Sequence, residues 1–340
     1  MKIMACDIPL STSWSIAGFA HIFKKVKFLI MKHAAMIIVT GLITLLSSAY
    51  MPGAELQKED KAVVSAEIME VTPVVWENKP LLFCSKRPFV SDHTPQSLGL
   101  RIMDLTTGEF VSDFGQCHSL GCAIIADGCF HVYAARQESV DSWFLDIDHF
   151  SSSDLVNWKM EPAIIREGGE HLLNSSVCQD DQGYIMAYES DQPVGFCFKF
   201  ARSNDLSHWT KIPNIAFAGP DQKSYSACPV IRYFAPWYYV IYLRADNGTY
   251  VSDLVRSKDL ITWEASPNNP VLKATPEEGI NNSDVDLFQW QGETILFYAT
   301  GNQQTWTDVR KAVYPGPMKE FFESYYPTDT PAPTFKAISP

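Results

Sequence analysis

Apolar and polar residues alternate over short runs through most of the chain, and these runs come in pairs separated by turns. The turns carry Gly, Asn or Asp, as tight hairpins require, and alternation with period two is typical of β-strands. No long stretch of the sequence shows helical periodicity. The pattern therefore predicts five hairpins, at residues 72–83, 121–135, 175–188, 228–243 and 283–298.

A seven-residue motif repeats within this pattern. Ser-x-Asp-Leu-x-x-Trp occurs at residues 152–158, 203–209 and 257–263, spaced by 51 and 54 residues, and a weaker copy lies at 103–110. A period of about 50 residues is what four short strands and their turns need in one blade of a β-propeller. The sequence therefore predicts an all-β fold, a five-bladed β-propeller with four-stranded antiparallel blades. In the last unit YPGPMKEFFES replaces the motif and predicts a short helical turn.

We interpret the motif as structural. Its Asp is expected to accept hydrogen bonds from turn amides, and its indole ring to pack between neighbouring blades. The motif resembles the Asp box of sialidases without matching it, because the Asp box has Gly where this chain has Leu155, Leu206 and Leu260. We therefore expect the motif to mark individual blades and to have no catalytic role.

The charge balance excludes one class of partner. The chain has 27 Lys and Arg residues against 39 Asp and Glu residues, a formal net charge of −12, and no basic stripe. Affinity for a nucleic-acid backbone comes largely from clustered positive charge, so we expect no nucleic-acid partner. With 46% hydrophobic residues the composition is that of a globular protein.

The N-terminal segment differs from the rest of the chain. Met31 is a second possible start, followed by the basic residues Lys32 and His33, an apolar run over 34–46 and small residues near 47–54. This order is typical of a secretory signal, and the apolar run is shorter than the roughly 20 residues of a transmembrane helix. We expect residues 1–54 to be an over-extended start plus a signal peptide, and residues 55–340 to form one propeller domain. The protein would then be secreted or periplasmic, with no stable membrane insertion after cleavage.

Seven cysteines follow the signal, and seven cannot all pair. They are scattered through apolar strand-like runs, so we expect most of them to be free buried thiols, while a Cys117–Cys122 disulfide stays open. The histidines show no HxxxH or HxH spacing and no CxxC pair occurs, so we expect no dedicated metal site and no cofactor, although a central structural cation remains possible. Phosphate-loop, dinucleotide and serine-hydrolase motifs are also absent from the sequence.

Candidate site residues follow from propeller geometry, in which the innermost strands surround a central channel and their first residues converge at one mouth. These strand starts are polar here, and the second strands return to the same face with further polar residues. Three acids are the catalytic candidates: Glu70, Glu189 and Asp284. The residues expected to bind substrate are His118, Asn174, Ser226, Arg136, Arg244, Asn282, Asp286 and Gln303.

Such a funnel of hydroxyls, amides and carboxylates suits a sugar, and glycoside cleavage needs one protonated acid and one carboxylate. Glu70 and Asp284 would lie on adjacent blades if the ring closes, and Glu189 would face them as the acid if either of them is the base. Asp286 shares a strand face with Asp284 and would lie deeper in the channel, positioning or tuning its neighbour.

The arginines have two interpretations. Arg136, Arg232 and Arg244 would clamp a carboxylated or sulfated sugar, or they would pair with structural acids. The sequence leaves both open.

The repeat, together with the phrases EVTPVVW, NSSVCQDDQGYIMAYE, KSYSACPVIRYF and NNSDVDLFQWQGETILFYATGNQ, resembles the five-bladed β-propeller glycoside hydrolases, the superfamily of families 32, 43, 62, 68, 117 and 130. The likeness covers roughly residues 65–323, and the phrases are similar to exported bacterial proteins labelled glycosyl hydrolases. The resemblance implies an exported glycoside hydrolase that acts on a plant or algal oligosaccharide or polysaccharide.

The family 43 catalytic triad does not transfer residue by residue. In that family a basic Asp, a tuning Asp and an acidic Glu lie near the strand starts of the first three blades. Here the corresponding segments offer Glu70, His118 and Asn174, and Glu189 lies only on the returning strand. The sugar specificity and the retaining or inverting outcome therefore stay open. Two alternatives also remain: a non-catalytic carbohydrate-binding propeller, and a glycoside phosphorylase in which Arg136 and Arg244 would help to bind phosphate.

Overall fold

The structure is a computed structural model that describes residues 55–65, 68–86, 94–139, 142–223, 225–302 and 304–339. The described chain forms five antiparallel sheets arranged as a five-bladed β-propeller, three of them with four strands and two with a fifth strand added from a chain end. This confirms the fold predicted from the repeat. The predicted signal and the boundary at residue 54 lie outside the described residues.

The strands follow one another blade by blade. Two short strands come first: β1 (Gln57–Lys58) and β2 (Val64–Ser65). Blade one contains β3 (Ile68–Trp76), β4 (Lys79–Lys86), β5 (Gly99–Asp104) and β6 (Phe110–Phe114). Blade two contains β7 (His118–Ala126), β8 (Cys129–Gln137), β9 (Phe144–Ser152) and β10 (Lys159–Ile164). Blade three contains β11 (Leu172–Asp180), β12 (Gly183–Ser190), β13 (Cys197–Ser203) and β14 (Thr210–Lys211).

The last two blades also recruit the chain ends. Blade four contains β15 (Ser226–Phe234), β16 (Trp237–Asp246), β17 (Thr249–Ser257) and β18 (Thr262–Ala265). Blade five contains β19 (Ser283–Trp290), β20 (Glu293–Gly301) and β21 (Thr307–Tyr314), and the predicted helical turn follows as α1 (Met318–Ser324). The final strand, β22 (Thr334–Lys336), pairs with β18 at the edge of blade four.

The N-terminal strands close the ring. Both β1 and β2 pair antiparallel with β21, so they supply the outer edge of blade five. Lys58 on β1 donates from Nζ to Glu278 Oε2 at 2.7 Å and to Asn282 Oδ1 at 2.6 Å. Asn282 was predicted to bind substrate, and the structure instead places it in this closure, where its amide also donates to the Asn281 carbonyl.

The tryptophan motif has the structural role that the sequence predicted. In the second copy, Asp205 Oδ1 accepts from two following backbone N–H groups at 2.8 and 3.0 Å, and Ser203 Oγ accepts from Leu206 N at 2.9 Å. Leu206 has a φ of +65°, the left-handed conformation that explains Gly at this position of the Asp box. The Trp209 ring packs edge-on against Tyr133 of the preceding blade, with centroids 5.4 Å apart. The other two copies repeat the Ser and Asp bonds.

The seven cysteines of the described residues are all free, as expected from the sequence. Burial raises the pKa of the Cys122 and Cys178 thiols to about 12, so both stay protonated at neutral pH. Among the described segments, no helix has the length and apolarity needed to cross a bilayer.

Candidate functional site

Each innermost strand bulges near its start, and these bulges build the site. In all five blades two residues of the first strand face a single residue of the second strand. The register shifts lie at Ile68/Val71, Ser119/Cys122, Leu172/Ser175, Ala227/Val230 and Ser283/Asp286. A bulge bends its strand and re-aims the inserted side chains, and bulges are common beside functional sites. The inserted residues include Glu70, Asn174, Cys228 and Asp284, and Glu189 is the single residue that faces the bulge of blade three.

Two adjoining cavities lie at these strand starts and share Asn174, Cys228 and Asp284. The first cavity is also lined by Glu70 and Asp286. The second cavity has Glu189 and an aromatic wall made by Trp143, Phe144, Phe196 and Tyr225. The structure thus brings the three predicted catalytic acids to one compound cavity, although they come from blades one, three and five.

Cys228 links the acids to one another. Its backbone N–H donates to Glu189 Oε2 at 3.1 Å, and its thiol donates to Asp284 Oδ1 at 2.8 Å. Asn174 Nδ2 donates to the same Glu189 oxygen at 2.8 Å and lies 3.4 Å from Cys228 Sγ. Burial, and then the negative charges of Asp284, Glu189 and Glu70, raise the pKa of the Cys228 thiol well above its ordinary value. The thiol is therefore a stable hydrogen-bond donor inside the acid cluster.

Backbone conformation fixes this arrangement. Cys228 and Asp284 have φ values of +50° and +51°, which non-glycine residues adopt at a cost of about 1–3 kcal/mol. Both are first residues of a bulge, so the strain accompanies the turning of their side chains toward each other. The second oxygen of Asp284, Oδ2, lies within hydrogen-bond distance of Ser283 Oγ. Both Asp284 oxygens therefore have hydrogen-bonding partners.

Asp286 lies in the first cavity with Asp284, as the sequence predicted, and is neutralised there by Arg232. The Arg232 guanidinium forms an ion pair with Asp286 and also donates to the Leu287 carbonyl at 2.9 Å. Burial raises the pKa of Asp286, and the positive charge of Arg232 acts in the opposite direction. Arg232 is therefore committed to a structural acid.

The structure places three other predicted substrate-binding residues away from the cavity lining. His118 Nε2 lies 2.9 Å from Asp148 Oδ2, because its side chain turns along the face of blade two toward β9. Arg136 pairs with Asp146 at 2.8 Å and with Asp148 at 3.3 Å. Arg244 pairs with Asp253 at 2.6 Å and so is also bound to a structural acid. Strand direction alone could not reveal these ion pairs.

Ser226 is fully buried at the first position of β15 and does not line either cavity. Gln303 lies outside the described residues. Asn174 is the predicted binding residue that the structure places in both cavities, in contact with Glu189.

Cys228 and the residues of the aromatic wall were not among the site residues predicted from the sequence. Cys228 could have been found by aligning the five hairpins on their turns, because it then falls at the same place as Asp284. The signal for the wall is an aromatic residue directly before a third strand, as Trp143 and Phe196 are before β9 and β13. The described residues include no group of three or more His, Cys, Asp or Glu side chains that could hold a metal ion.

The chain matches no family model and no curated protein. Solved structures match it in fold. A thermostable family 43 glycoside hydrolase is 12% identical with a TM-score of 0.56, covering 76% of this chain and 91% of its own. The chain and this structure share the fold of a five-bladed propeller. This confirms the fold that the resemblance implied.

Two further neighbours carry the names of other activities. An N-acetylgalactosamine deacetylase from F. plautii, solved with blood group B trisaccharide, is 12% identical with a TM-score of 0.58, covering 81% of this chain and 97% of its own. A β-1,2-mannobiose phosphorylase from Listeria innocua, solved with β-1,2-mannobiose, is 10% identical with a TM-score of 0.56, covering 80% and 99%. At this identity the likeness shows the fold alone, so the reaction has to be inferred from the cavity itself.

Proposed function

We propose that this protein is a glycoside hydrolase that cleaves an uncharged plant or algal oligosaccharide or polysaccharide with two carboxylic acids. The observation that carries the proposal is the meeting of Glu189 and Asp284 on Cys228, at the wall of a cavity that both acids line. Hydrolysis requires one group that protonates the leaving oxygen and one that activates water or attacks the anomeric carbon. Glu70, in the adjoining cavity, is the third acid of the set.

The positions of the two acids support different roles. Glu189 lines the second cavity beside the aromatic wall, and its Oε2 accepts from Asn174 Nδ2 and from the Cys228 backbone N–H. Asp284 lines both cavities, and its Oδ1 accepts from the Cys228 thiol. We assign Glu189 as the general acid and Asp284 as the base or nucleophile.

The charge of the cavity supports hydrolysis of a neutral sugar. Within the described part of the chain, the residues lining the two cavities include four carboxylates and no Lys, Arg or His. Phosphorolysis needs a cationic phosphate site, and a sulfated or uronic sugar needs a cationic clamp. Arg136, Arg232 and Arg244 are each paired with structural acids instead.

The roles can be tested with substrates that differ in their leaving group. Purified wild type, Glu189→Gln and Asp284→Asn would be assayed on neutral oligosaccharides and on 2,4-dinitrophenyl glycosides of the same sugar. Removal of a general acid should lower kcat on the oligosaccharide by about 10²–10⁴-fold and affect the dinitrophenyl glycoside little, because dinitrophenolate leaves without a proton. Asp284→Asn should lose activity on both substrates.

A matched control is Glu170→Gln, which replaces a buried glutamate bound to Lys199 and Ser190 outside the cavities. This variant should retain kcat per folded molecule. Equal activity of wild type, Glu189→Gln and Asp284→Asn on the oligosaccharide would refute the proposed roles. Sugar binding without turnover by the wild type would point to a carbohydrate-binding propeller instead.

We also propose that the protein is exported, on the strength of the signal-like pattern over residues 31–54. The high pKa values of buried thiols such as Cys122 and Cys178 are compatible with an oxidising compartment, because a buried thiol reacts slowly. Cell fractionation followed by N-terminal mass spectrometry should find a mature chain that starts near residue 50. An uncleaved chain in the cytoplasm would contradict export.

A further inference from the structure

Aromatic rings line one side of the second cavity and continue to the protein surface. We call Trp143, Phe196 and Tyr225 the aromatic strip. Trp143 and Phe196 pack edge-on with centroids 5.4 Å apart, and Phe196 and Tyr225 pack edge-on at 5.0 Å. All three line the cavity that contains Glu189 and Asp284. The strip therefore leads from the acids outward.

The outer end of the strip is open to solvent. Trp143 has 43% of its surface exposed, which is high for a tryptophan that also borders a cavity. The His171 ring lies 5.6 Å from Trp143 and is fixed by a 2.7 Å contact with Asp191. The indole is thus supported by its neighbours while part of its surface stays free.

The centre of the strip is held in an unfavourable backbone conformation. Phe196 has a φ of +58°, which is uncommon for a bulky residue and is typical of sites where the surrounding structure fixes a side chain. This conformation places the Phe196 ring between Trp143 and Tyr225, which belong to loops of other blades. The strip is therefore an assembled surface and not a chance patch of one loop.

We propose that the aromatic strip is the binding site for a second sugar ring, so that the substrate is an uncharged oligosaccharide of at least two pyranose units extending over blades two and three. This inference rests on the proposed function for the position of the first sugar, beside Glu189 and Asp284. A pyranose has one face of C–H groups, which packs on an indole ring, while its hydroxyls remain solvated at the rim. The exposed part of the Trp143 indole is available for that contact.

The negative charge of the second cavity also limits which sugars can bind at the aromatic strip. A negatively charged sugar unit at the strip would lie beside the carboxylates of the cavity, where no described lining residue carries positive charge. Like-charge contacts discriminate strongly against a ligand. We therefore expect uronic oligosaccharides to bind more weakly than neutral ones of the same length.

The test measures binding apart from cleavage. Isothermal titration would be performed with xylo-, manno- and galacto-oligosaccharides of one to four units and with oligogalacturonides, on the Glu189→Gln protein with and without Trp143→Ala or Trp143→Phe. Loss of one stacking contact should raise Kd for two or more units by about 10-fold and change Kd for the monosaccharide by less than about 2-fold. Trp143→Phe should restore most of the affinity.

Trp306→Ala is the matched control. Trp306 is 36% exposed and directly precedes the third strand of blade five, as Trp143 does in blade two, but it does not line the second cavity. Its replacement should leave Kd unchanged. An unchanged Kd in Trp143→Ala, or a loss in Trp306→Ala alone, would overturn the inference.

The two proposals fail in different ways. Binding of oligosaccharides that depends on Trp143, without cleavage by the wild type, would refute the hydrolase and support the subsite. Cleavage that does not depend on Trp143, measured as unchanged KM for the oligosaccharide, would refute the subsite alone. Absence of both binding and cleavage across the panel would refute both.

Discussion

The thiol of Cys228 donates to Asp284 Oδ1 across 2.8 Å, although the two residues are 56 positions apart and lie on different blades. The same residue holds Glu189, on a third blade, through its backbone N–H. One cysteine therefore fixes the relative position of two acids that no single sheet could bring together. Its raised pKa keeps the thiol hydrogen in place for this role.

Two replacements of Cys228 should show whether its role depends on the hydrogen bond that its side chain donates to Asp284. Cys228→Ser keeps a hydrogen donor and should retain kcat within about 3-fold, whereas Cys228→Ala should lower kcat by about 10-fold, because Asp284 loses a bond worth roughly 1.5 kcal/mol. The pH profile of kcat should also shift in Cys228→Ala and not in Cys228→Ser. Cys178→Ala, a buried cysteine outside both acid-bearing cavities, is the control. Equal kcat values and pH profiles for the Ser and Ala variants would contradict the positioning role.

Replacement of one partner of the Arg232–Asp286 ion pair should strongly destabilise the fold. Asp286 is 3% exposed, so Arg232→Met leaves a buried carboxylate without its ion-pair partner and should lower the free energy of unfolding by about 3–5 kcal/mol. Burial already raises the pKa of Asp286, and removal of the Arg232 charge should raise it further. The folded variant then takes up a proton at Asp286 as the pH falls, which removes the buried charge. The loss of unfolding free energy caused by Arg232→Met should therefore be greater at pH 7 than at pH 5. Urea unfolding at both pH values measures this.

Arg101→Met is the control for that experiment. Arg101 pairs with Asp113 at 2.9 Å, but the Asp113 side chain is 64% exposed. Removal of an exposed pair should cost less than about 1 kcal/mol. A similar loss for Arg232→Met and Arg101→Met would mean that the buried pair is not coupled to folding.

A pair of histidines in blade two should lower the free energy of unfolding as the pH becomes acidic. His131 Nδ1 lies 2.9 Å from His149 Nε2, and burial followed by the neighbouring His149 lowers the pKa of His131 to about 4. The unfolded chain takes up this proton near pH 6.5, so stability is fully present above that pH and is lost as the pH falls toward 4. His131 is only partly buried, so after screening the loss should be about 1 kcal/mol.

Thermal unfolding of wild type and His131→Gln between pH 4 and pH 7 tests this dependence. The variant should show a flatter decline of Tm below pH 6.5 than the wild type. His208→Gln, which replaces an exposed histidine whose pKa Asp205 raises, should not flatten this decline. Parallel profiles for wild type and His131→Gln would contradict the assignment.

The fold could be predicted because its signals are local. Alternation and turn residues define each hairpin, and the Trp motif recurs at the spacing of a blade. Glu70, Asn174 and Asp284 line the first cavity because they occupy strand starts that converge by symmetry, and their roles stay predictions. The positions of the other residues of the site depend on local backbone geometry, which the regular alternation of apolar and polar residues does not reveal.

The bulges are one such feature. A bulge inserts one residue into the strand, so the alternation that assigns side chains to faces changes at the point where the site begins. Cys228 enters the cavity for this reason, and the sequence argument passed over it. His118 and Arg136 were expected at the cavity because they lie near the mouth, yet Asp148 on the third strand pairs with both. Such a pairing depends on side-chain direction across a blade, which strand order does not specify.

The most direct test of the account is a crystal structure of Glu189→Gln with a bound neutral oligosaccharide of two or more units. The account predicts that the glycosidic oxygen lies within hydrogen-bond distance of residue 189, with Asp284 on the opposite side of the anomeric carbon. A sugar bound with its glycosidic bond away from both residues, or at the other end of the central channel, would contradict it.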